Sequence, residues 1–146
     1  MRVLVSNKSA AFDFEVIDKL EAGLVLEGWE VKSIKNARAN LKGSFIISTA
    51  NAGLVIRGMH ISDWIGEVHS EAVKLRERTL LVHKHQVTKL SALAKQPGYS
   101  LIPLQLFQND KGMIKAEIAL VKGKRKFDKK QAIKDRDLAR ELRNSW

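Results

Sequence analysis

Two histidines separated by one residue, in His83-Lys84-His85, are the group in this sequence that most suggests metal chemistry. A zinc site needs three or four ligands, and the chain has no cysteine, no His-Glu-x-x-His motif and no carboxylate cluster beside these imidazoles. Surface imidazoles are therefore the favoured interpretation, and we expect neither a metal nor another cofactor. A Gly-rich phosphate loop, a Gly-x-Ser-x-Gly elbow and an acidic two-metal cluster are also missing, so an enzyme is the least favoured class.

Basic residues concentrate near the carboxyl end of the sequence. Residues 122–146, KGKRKFDKKQAIKDRDLARELRNSW, contain ten Lys or Arg and four Asp or Glu, a net charge of +6 in a chain of +10. Such a segment suits a polyanion: nucleic acid, an anionic membrane surface or an acidic protein patch. A membrane-surface helix needs a broad apolar face, and the tail offers only Leu138, Leu142 and Trp146. Nucleic acid therefore ranks first, and His83 and His85 are surface groups or neighbours of bound RNA.

The tail carries a helix signal. Asp128 and Gln131 have capping-box spacing, and Leu138, Ala139, Leu142 and Trp146 then fall on one helical face. An isolated helix of this length is marginal in water, so the pattern predicts a tail that is disordered when free and helical when its cations meet phosphates. The alternative is a solvated basic segment that only improves solubility.

The body has the size and composition of one globular domain. With 146 residues, 45% hydrophobic, we expect one domain over residues 1–123 and the tail over 124–146. The absence of cysteine fits a reducing compartment, and neither a signal peptide nor a bilayer-spanning apolar run of ~20 residues is evident. We therefore expect a cytoplasmic protein with no membrane segment, and a monomer.

Short strands dominate the predicted elements. Alternation predicts a strand from Phe12 to Val16, followed by an extended run at 22–28 and a short helix within 29–41. Next come a hairpin at 44–61 and, where no clean period is present, an exposed loop at 62–78. The last predicted elements are a helix around 87–94 and a hairpin at 100–123 that turns at 109–112. Five or six hairpin-linked strands with inserted helices favour a mainly β, α+β fold: a closed antiparallel OB-type barrel with attached helices and a basic tail.

Several segments together resemble the small protein B (SmpB) family, the transfer-messenger RNA-binding proteins of bacteria. They occur in order as NKSAAFDFEV, EAGLVLEGWEVKSIKNARANLKGSF, MHIS, LLVHKHQV and KGKRKFDKKQAIKDRDLAREL. The pattern EAG-x-x-L-x-G-x-EVKS-x-x-x-x-x-ANLK, over Glu21 to Lys42, is the most specific. The resemblance implies an OB-type barrel that binds the tRNA-like domain of transfer-messenger RNA and, with elongation factor Tu, reaches ribosomes stalled without a stop codon. It implies that the tail enters the empty mRNA path near the decoding centre.

Site residues follow from the same resemblance. The RNA-facing barrel positions would be Phe14, Glu21, Asn40, Lys42, Val121, Lys122 and Gly123, and the ribosome-facing tail positions would be Lys124, Arg125, Asp128, Lys129, Lys130, Ile133, Lys134, Arg136, Arg140 and Trp146. Asn40 and Lys42 are either structural or phosphate contacts. Glu21 could instead be a strand-end carboxylate paired with a lysine, and Gly123 a turn glycine.

Two departures from the family pattern stand out. Ala11-Phe12 replaces an Arg-His pair, so that Phe12 either stacks on a base or joins the core, and Lys130 replaces an arginine with its planar phosphate-binding fork. The remaining alternative function is a structural RNA-binding module, such as a ribosome-assembly protein with an OB-type barrel, whose tail would supply only affinity.

Overall fold

The structure, a computed structural model, describes residues 1–49 and 53–123. The predictions made for the tail, its capping box at Asp128, its helix and its ten site residues, lie outside the described residues. The helices of the described segments are all too short to span a bilayer.

The described residues form nine strands and four helices. In chain order these are β1 Arg2–Ser6, α1 Ala10–Asp13, β2 Phe14–Leu24, α2 Gly28–Lys35, β3 Ala39–Asn40, β4 Phe45–Thr49, β5 Gly53–Arg57, β6 His60–Ile61, α3 Glu71–Lys74, β7 Arg78–Leu81, α4 Lys84–Ala94, β8 Tyr99–Gln108 and β9 Ile114–Gly123. The prediction of a mainly β chain with short helices is confirmed.

Seven of the strands form one antiparallel sheet. Its order is β1-β8-β4-β5-β7-β2-β9, and β8 also pairs with β9. Strands β3 and β6 form a separate two-stranded ladder. The longest ladders are those that β9 makes with β2 and with β8, so β9 is the central strand of one face of the molecule.

The β8–β9 hairpin shows why the turn prediction at 109–112 is confirmed. The Asn109 side-chain oxygen accepts hydrogen bonds from the backbone N–H groups of Lys111 and Met113 at 3.1 and 2.9 Å, and Gly112 adopts φ +80°. An Asn that binds the backbone two and four residues ahead, followed by a residue free to adopt positive φ, fixes the turn locally. The hairpin at 44–61 is likewise confirmed as the β4–β5 pair.

Alternating side chains of β9 pack on two apolar clusters. Ile114, Ala116, Ile118 and Leu120 lie in the main core, as their period-two spacing predicted, together with residues of α2 and α4. Ala119 and Val121 point the other way, into a small outer cluster with Ala10, Ile102, Phe14 and Leu104. Helix α1 therefore covers one end of the outer face. The two helices predicted within 29–41 and around 87–94 are confirmed as α2 and α4.

Three element predictions are wrong in part. Phe12 lies in α1 rather than in a strand, because the carbonyl of Ser9 accepts hydrogen bonds from the N–H groups of Phe12 and Asp13. The strand predicted to end at Val16 continues as one strand, β2, through the first three residues of the run predicted at 22–28, with a register shift between Val16 and Asp18. β2 ends at Leu24, and Gly28 already begins α2. Part of the segment predicted as an exposed loop, 62–78, is ordered as α3 and ends in buried Arg78.

Candidate nucleic-acid interface

The predicted barrel residues lie along the β2–β9 ladder but do not form one cluster. Phe14 pairs with Gly123 at one end, whereas Glu21 pairs with Glu117 seven residues further along β2. At ~3.3 Å per residue this separates the two ends by about 20 Å. An RNA that contacts both ends must therefore lie along the strands.

At the Phe14 end, most of the predicted side chains are buried. Val121 is 0% exposed in the outer cluster, on which Phe14 also packs. Lys122 is buried on the opposite face, in register with Glu15 and Tyr99. At Gly123 an added Cβ would meet nothing within 4 Å, so the glycine leaves the backbone open to solvent rather than forming a turn. Phe12 is 72% exposed, which excludes the core alternative for this side chain.

At the other end, Glu21 lines an open groove of about 420 Å³ between the sheet and the start of α4. The other lining residues are Gly23, Leu81, Val82, His83, Gln86 and Lys115. Leu81 stays exposed although it is apolar. Gly23 brings β2 close to it, because a Cβ added at Gly23 would lie 3.2 Å from the Leu81 Cβ. Sequence reasoning had singled out Glu21 and His83 separately, and it missed Leu81 and Lys115.

The charges at this groove have no partner among the described residues. Glu21 lies directly opposite Glu117, and Lys115 lies opposite Gly23 on the same face. None of these three charged side chains makes an ion pair within 4.0 Å inside residues 1–49 and 53–123. The alternative of a Glu21–lysine pair is thus wrong for this part of the chain. Like charges placed opposite each other in a ladder destabilise it, so folding alone does not explain this arrangement.

Asn40 and Lys42 lie on a separate part of the molecule. Asn40 pairs with His60 in the small β3–β6 ladder, and its side-chain oxygen accepts a hydrogen bond of 2.9 Å from the Lys42 N–H. Asn40 thus has a structural role in its turn, while the Lys42 side chain is exposed. The structure does not bring this pair to the β2–β9 ladder.

Two exposed histidines lie at the start of α4, and one of them, His83, lines the groove. The rings of His83 and His85 stack with centroids 5.7 Å apart. Across the described ranges, no group of three or more His, Asp and Glu side chains could hold a metal ion. The groove therefore offers carboxylate, ammonium, amide and imidazole groups around an apolar floor.

A buried ion network links α2 to the strand beside the groove, and no local sequence pattern indicates it. Glu30 and Arg78 are both fully buried, and the Arg78 Nε and Nη2 atoms lie 2.7 and 2.6 Å from Glu30 Oε2. Arg76 also donates to Glu30. Arg78 further donates to the carbonyls of Met59 and Lys74 at 2.6 and 2.9 Å. These contacts connect α2 to β7, the strand that carries Leu81.

Electrostatics and helix capping support the same network. Burial lowers the pKa of Arg78, and the adjacent Glu30 carboxylate opposes that effect. Glu30 Oε1 also accepts a hydrogen bond of 2.9 Å from the N–H of Glu27, which caps α2. Ser33, one turn later, donates to the carbonyl of Ser62 at 2.7 Å. Glu30 and Ser33 of the EVKS segment are thus structural residues.

These features define a class: a small antiparallel β protein with short helices and a groove along the β2–β9 ladder whose charged groups are unpaired within the described residues. The SmpB protein family model matches residues 4–146. The SsrA-binding protein of Neorickettsia sennetsu is 43% identical over 140 residues, 96% of this chain and 95% of the relative. That of Nitratiruptor sp. is 42% identical over 144 residues, 98% of this chain and 95% of the relative.

A solved structure is also similar to this chain. A chain from "tmRNA-SmpB: a journey to the center of the bacterial ribosome" superimposes with a TM-score of 0.70 at 32% identity, covering 91% of this chain and 95% of that one. The chain belongs to the SmpB family.

Proposed function

We propose that this protein binds transfer-messenger RNA and delivers it to stalled ribosomes for trans-translation. Supporting this are the family match over residues 4–146, the relatives named SsrA-binding proteins, and the structural neighbour described at the bacterial ribosome. The protein acts as a binding module rather than an enzyme, as a monomer in the cytoplasm.

The observation that carries the proposal is the groove at Glu21. Its floor of Leu81 and Val82 suits the face of a base or ribose, and Glu21 can accept hydrogen bonds from RNA hydroxyl or amine groups. Lys115 supplies a cation for a phosphate. A ligand that brings donors to Glu21 and an anion to Lys115 would satisfy groups that have no ionic partner within the described residues.

The fold we propose for this function is the closed OB-type barrel. The pairing of β8 with β9 supports it, because β8 follows β1 at one end of the sheet order and β9 stands at the other end. Strands β8, β4, β5, β7, β2 and β9 would then form a ring of six. The tRNA-like domain would lie along β2 and β9, in contact with Phe14, Gly123 and the groove.

The tail has a later role in this scheme. Its basic residues, with Asp128 and Trp146, enter the empty mRNA path near the decoding centre after elongation factor Tu has accompanied the complex. The nine Lys and Arg residues of the tail, 124–146, support contact with ribosomal RNA phosphates.

A gel shift with the tRNA-like domain tests the groove. Lys115→Gln should weaken binding several-fold and reduce the slope of log affinity against log salt by about one, because one phosphate contact is lost. The matched control is Lys111→Gln, at the exposed tip of the same hairpin. Equal effects of the two substitutions would refute the groove as the RNA subsite.

Removing residues 128–146 tests the division between body and tail. The shortened chain should retain most of its affinity for transfer-messenger RNA yet lose peptide tagging in a translation assay on messages without stop codons. Loss of most RNA binding would show instead that the tail supplies the affinity.

A further inference from the structure

One loop has a charge opposite to that of the rest of the chain. Residues 62–74, SDWIGEVHSEAVK, contain three carboxylates, Asp63, Glu67 and Glu71, against Lys74 alone, a net charge of −2 in a protein of +10. We call this segment the acidic loop. Two of its residues, Ile65 and Val68, are aliphatic yet 78% and 91% exposed.

The acidic loop is held in one conformation. The backbone of Ser62 donates to the carbonyl of Arg38 at 2.9 Å, and the N–H of His69 donates to Asp63 at 2.9 Å. The His69 ring stacks on Trp29 of α2 with centroids 4.0 Å apart. At the tip, the N–H of Glu67 donates to the carbonyl of Trp64 at 3.0 Å, with Gly66 at φ +86° completing the turn.

The acidic loop is ordered, yet it exposes two aliphatic side chains to solvent. Trp64 packs against the main core, so the loop has an apolar anchor of its own. Ile65 and Val68 add nothing to that core, and neither side chain is needed for the backbone bonds that fix the turn. Two aliphatic side chains held in solvent on an ordered loop are available to pack into an apolar pocket of a binding partner.

The negative charge of the acidic loop favours a protein partner over a nucleic acid. Phosphates would be repelled by three carboxylates. Desolvation raises the pKa of Asp63, but hydrogen bonds from Lys74 and the His69 N–H outweigh it, and a hydrogen bond from Lys74 lowers the pKa of Glu71, so both groups remain ionised at neutral pH. A protein surface with an aliphatic pocket and a Lys or Arg rim complements both the apolar tip and its charge.

We propose that the acidic loop docks on such a protein surface of the ribosome, with Ile65 and Val68 as the anchors. The inference rests on the proposed function, which makes the ribosome the destination of the protein. It goes further by assigning the acidic loop to a protein contact rather than to an RNA contact.

The first experiment measures co-sedimentation with purified ribosomes loaded with transfer-messenger RNA. The double variant Ile65→Ser and Val68→Ser should bind about tenfold more weakly, since two anchors are lost. Glu67→Lys should weaken binding in the same direction by charge reversal. Val25→Ser, at an exposed aliphatic position outside the acidic loop, is the matched control and should bind as the wild type does. Unchanged binding of the double variant would overturn the proposal.

The second experiment identifies the contacted molecule. A photoreactive residue at position 68 should give an adduct with those purified ribosomes that is sensitive to protease and resistant to nuclease. A nuclease-sensitive adduct would assign the loop to RNA and overturn the proposal. The same variants should bind the isolated tRNA-like domain normally. Failure of the wild-type chain in that gel shift would contradict the proposed function instead, so the two outcomes are distinguishable.

Discussion

Glu30→Gln is expected to be the most destabilising single isosteric change in the described part of the chain. Glu30 and Arg78 are each 0% exposed, and their closest approach is 2.6 Å. The substitution keeps the side-chain shape but leaves the buried guanidinium without its counter-charge. Removing one partner of a buried ion pair costs about 3–5 kcal/mol. That is a large part of the about 5–15 kcal/mol by which a domain is stable.

Thermal unfolding provides the assay. For a domain of this size, the expected loss corresponds to a fall in Tm of about 10–15 °C. The matched control is Glu77→Gln, which breaks the ion pair between Arg57 and Glu77 at 3.2 Å, where the side chains are 49% and 44% exposed. An exposed pair contributes about 0–1 kcal/mol, so the control should lower Tm by no more than about 3 °C.

The double variant Glu30→Leu with Arg78→Met separates charge burial from packing. It should be more stable than Glu30→Gln, because it leaves neither member of the buried pair uncompensated. If Glu30→Gln unfolds at the same temperature as the Glu77→Gln control, the network does not stabilise the fold and the reasoning is refuted.

Two further predictions concern the groove and the acidic loop. Gly23→Val should reduce affinity for the tRNA-like domain in a gel shift, because its side chain would displace Leu81, already 3.2 Å from an added Cβ. Lys74→Met should lower Tm by a constant amount between about pH 4.5 and 10.5, and by less on either side. The reason is that desolvation raises the pKa of Asp63, but hydrogen bonds from Lys74 and the backbone outweigh it and lower that pKa below 3.8. A hydrogen bond from Lys74 lowers the pKa of Glu71 below 4.5, and hydrogen bonds to the two carboxylates raise the pKa of Lys74 above 10.5. Stability from depressed carboxyl pKa values is lost as pH falls through them, and that from the raised lysine pKa is lost as pH rises through it.

Controls accompany both changes. Gly28→Ala adds a Cβ that meets nothing within 4 Å, so RNA affinity should not change, and an equal loss with Gly23→Val would point to a general effect of glycine replacement. For Lys74→Met, a Tm difference that persists undiminished at pH 3 would show that the ion pairs do not cause it.

Local signals explain how much of the fold could be predicted. The Asn109 turn and the alternation of Ile114, Ala116, Ile118 and Leu120 are encoded in adjacent residues, and both are confirmed. The prediction of an exposed loop at 62–78 is wrong in part, because the structure of this segment depends on contacts with residues far away in the chain. Arg78 becomes buried through Glu30, 48 residues earlier, and no local periodicity records that contact.

The candidate site also has residues that the sequence predicted and residues that only the structure identifies. Family resemblance identified Glu21, but its neighbours in the groove, Leu81 and Lys115, come from strands distant in sequence, and topology alone brings them together. The family resemblance also does not predict that Val121 is buried beside α1. Burial on the outer face depends on where the chain before β2 folds back, which is a feature of the tertiary structure. The tail predictions lie outside the described residues and remain predictions.

Specific recognition of transfer-messenger RNA separates the proposed function from general binding of polyanions. The most direct test is a competition gel shift at physiological salt, in which the full-length protein binds the labelled tRNA-like domain in the presence of excess ordinary tRNA. We predict that the complex persists under this competition. If ordinary tRNA displaced the labelled RNA equally well, the net charge of +10 would account for the binding, and a general RNA-binding module would replace the proposed function.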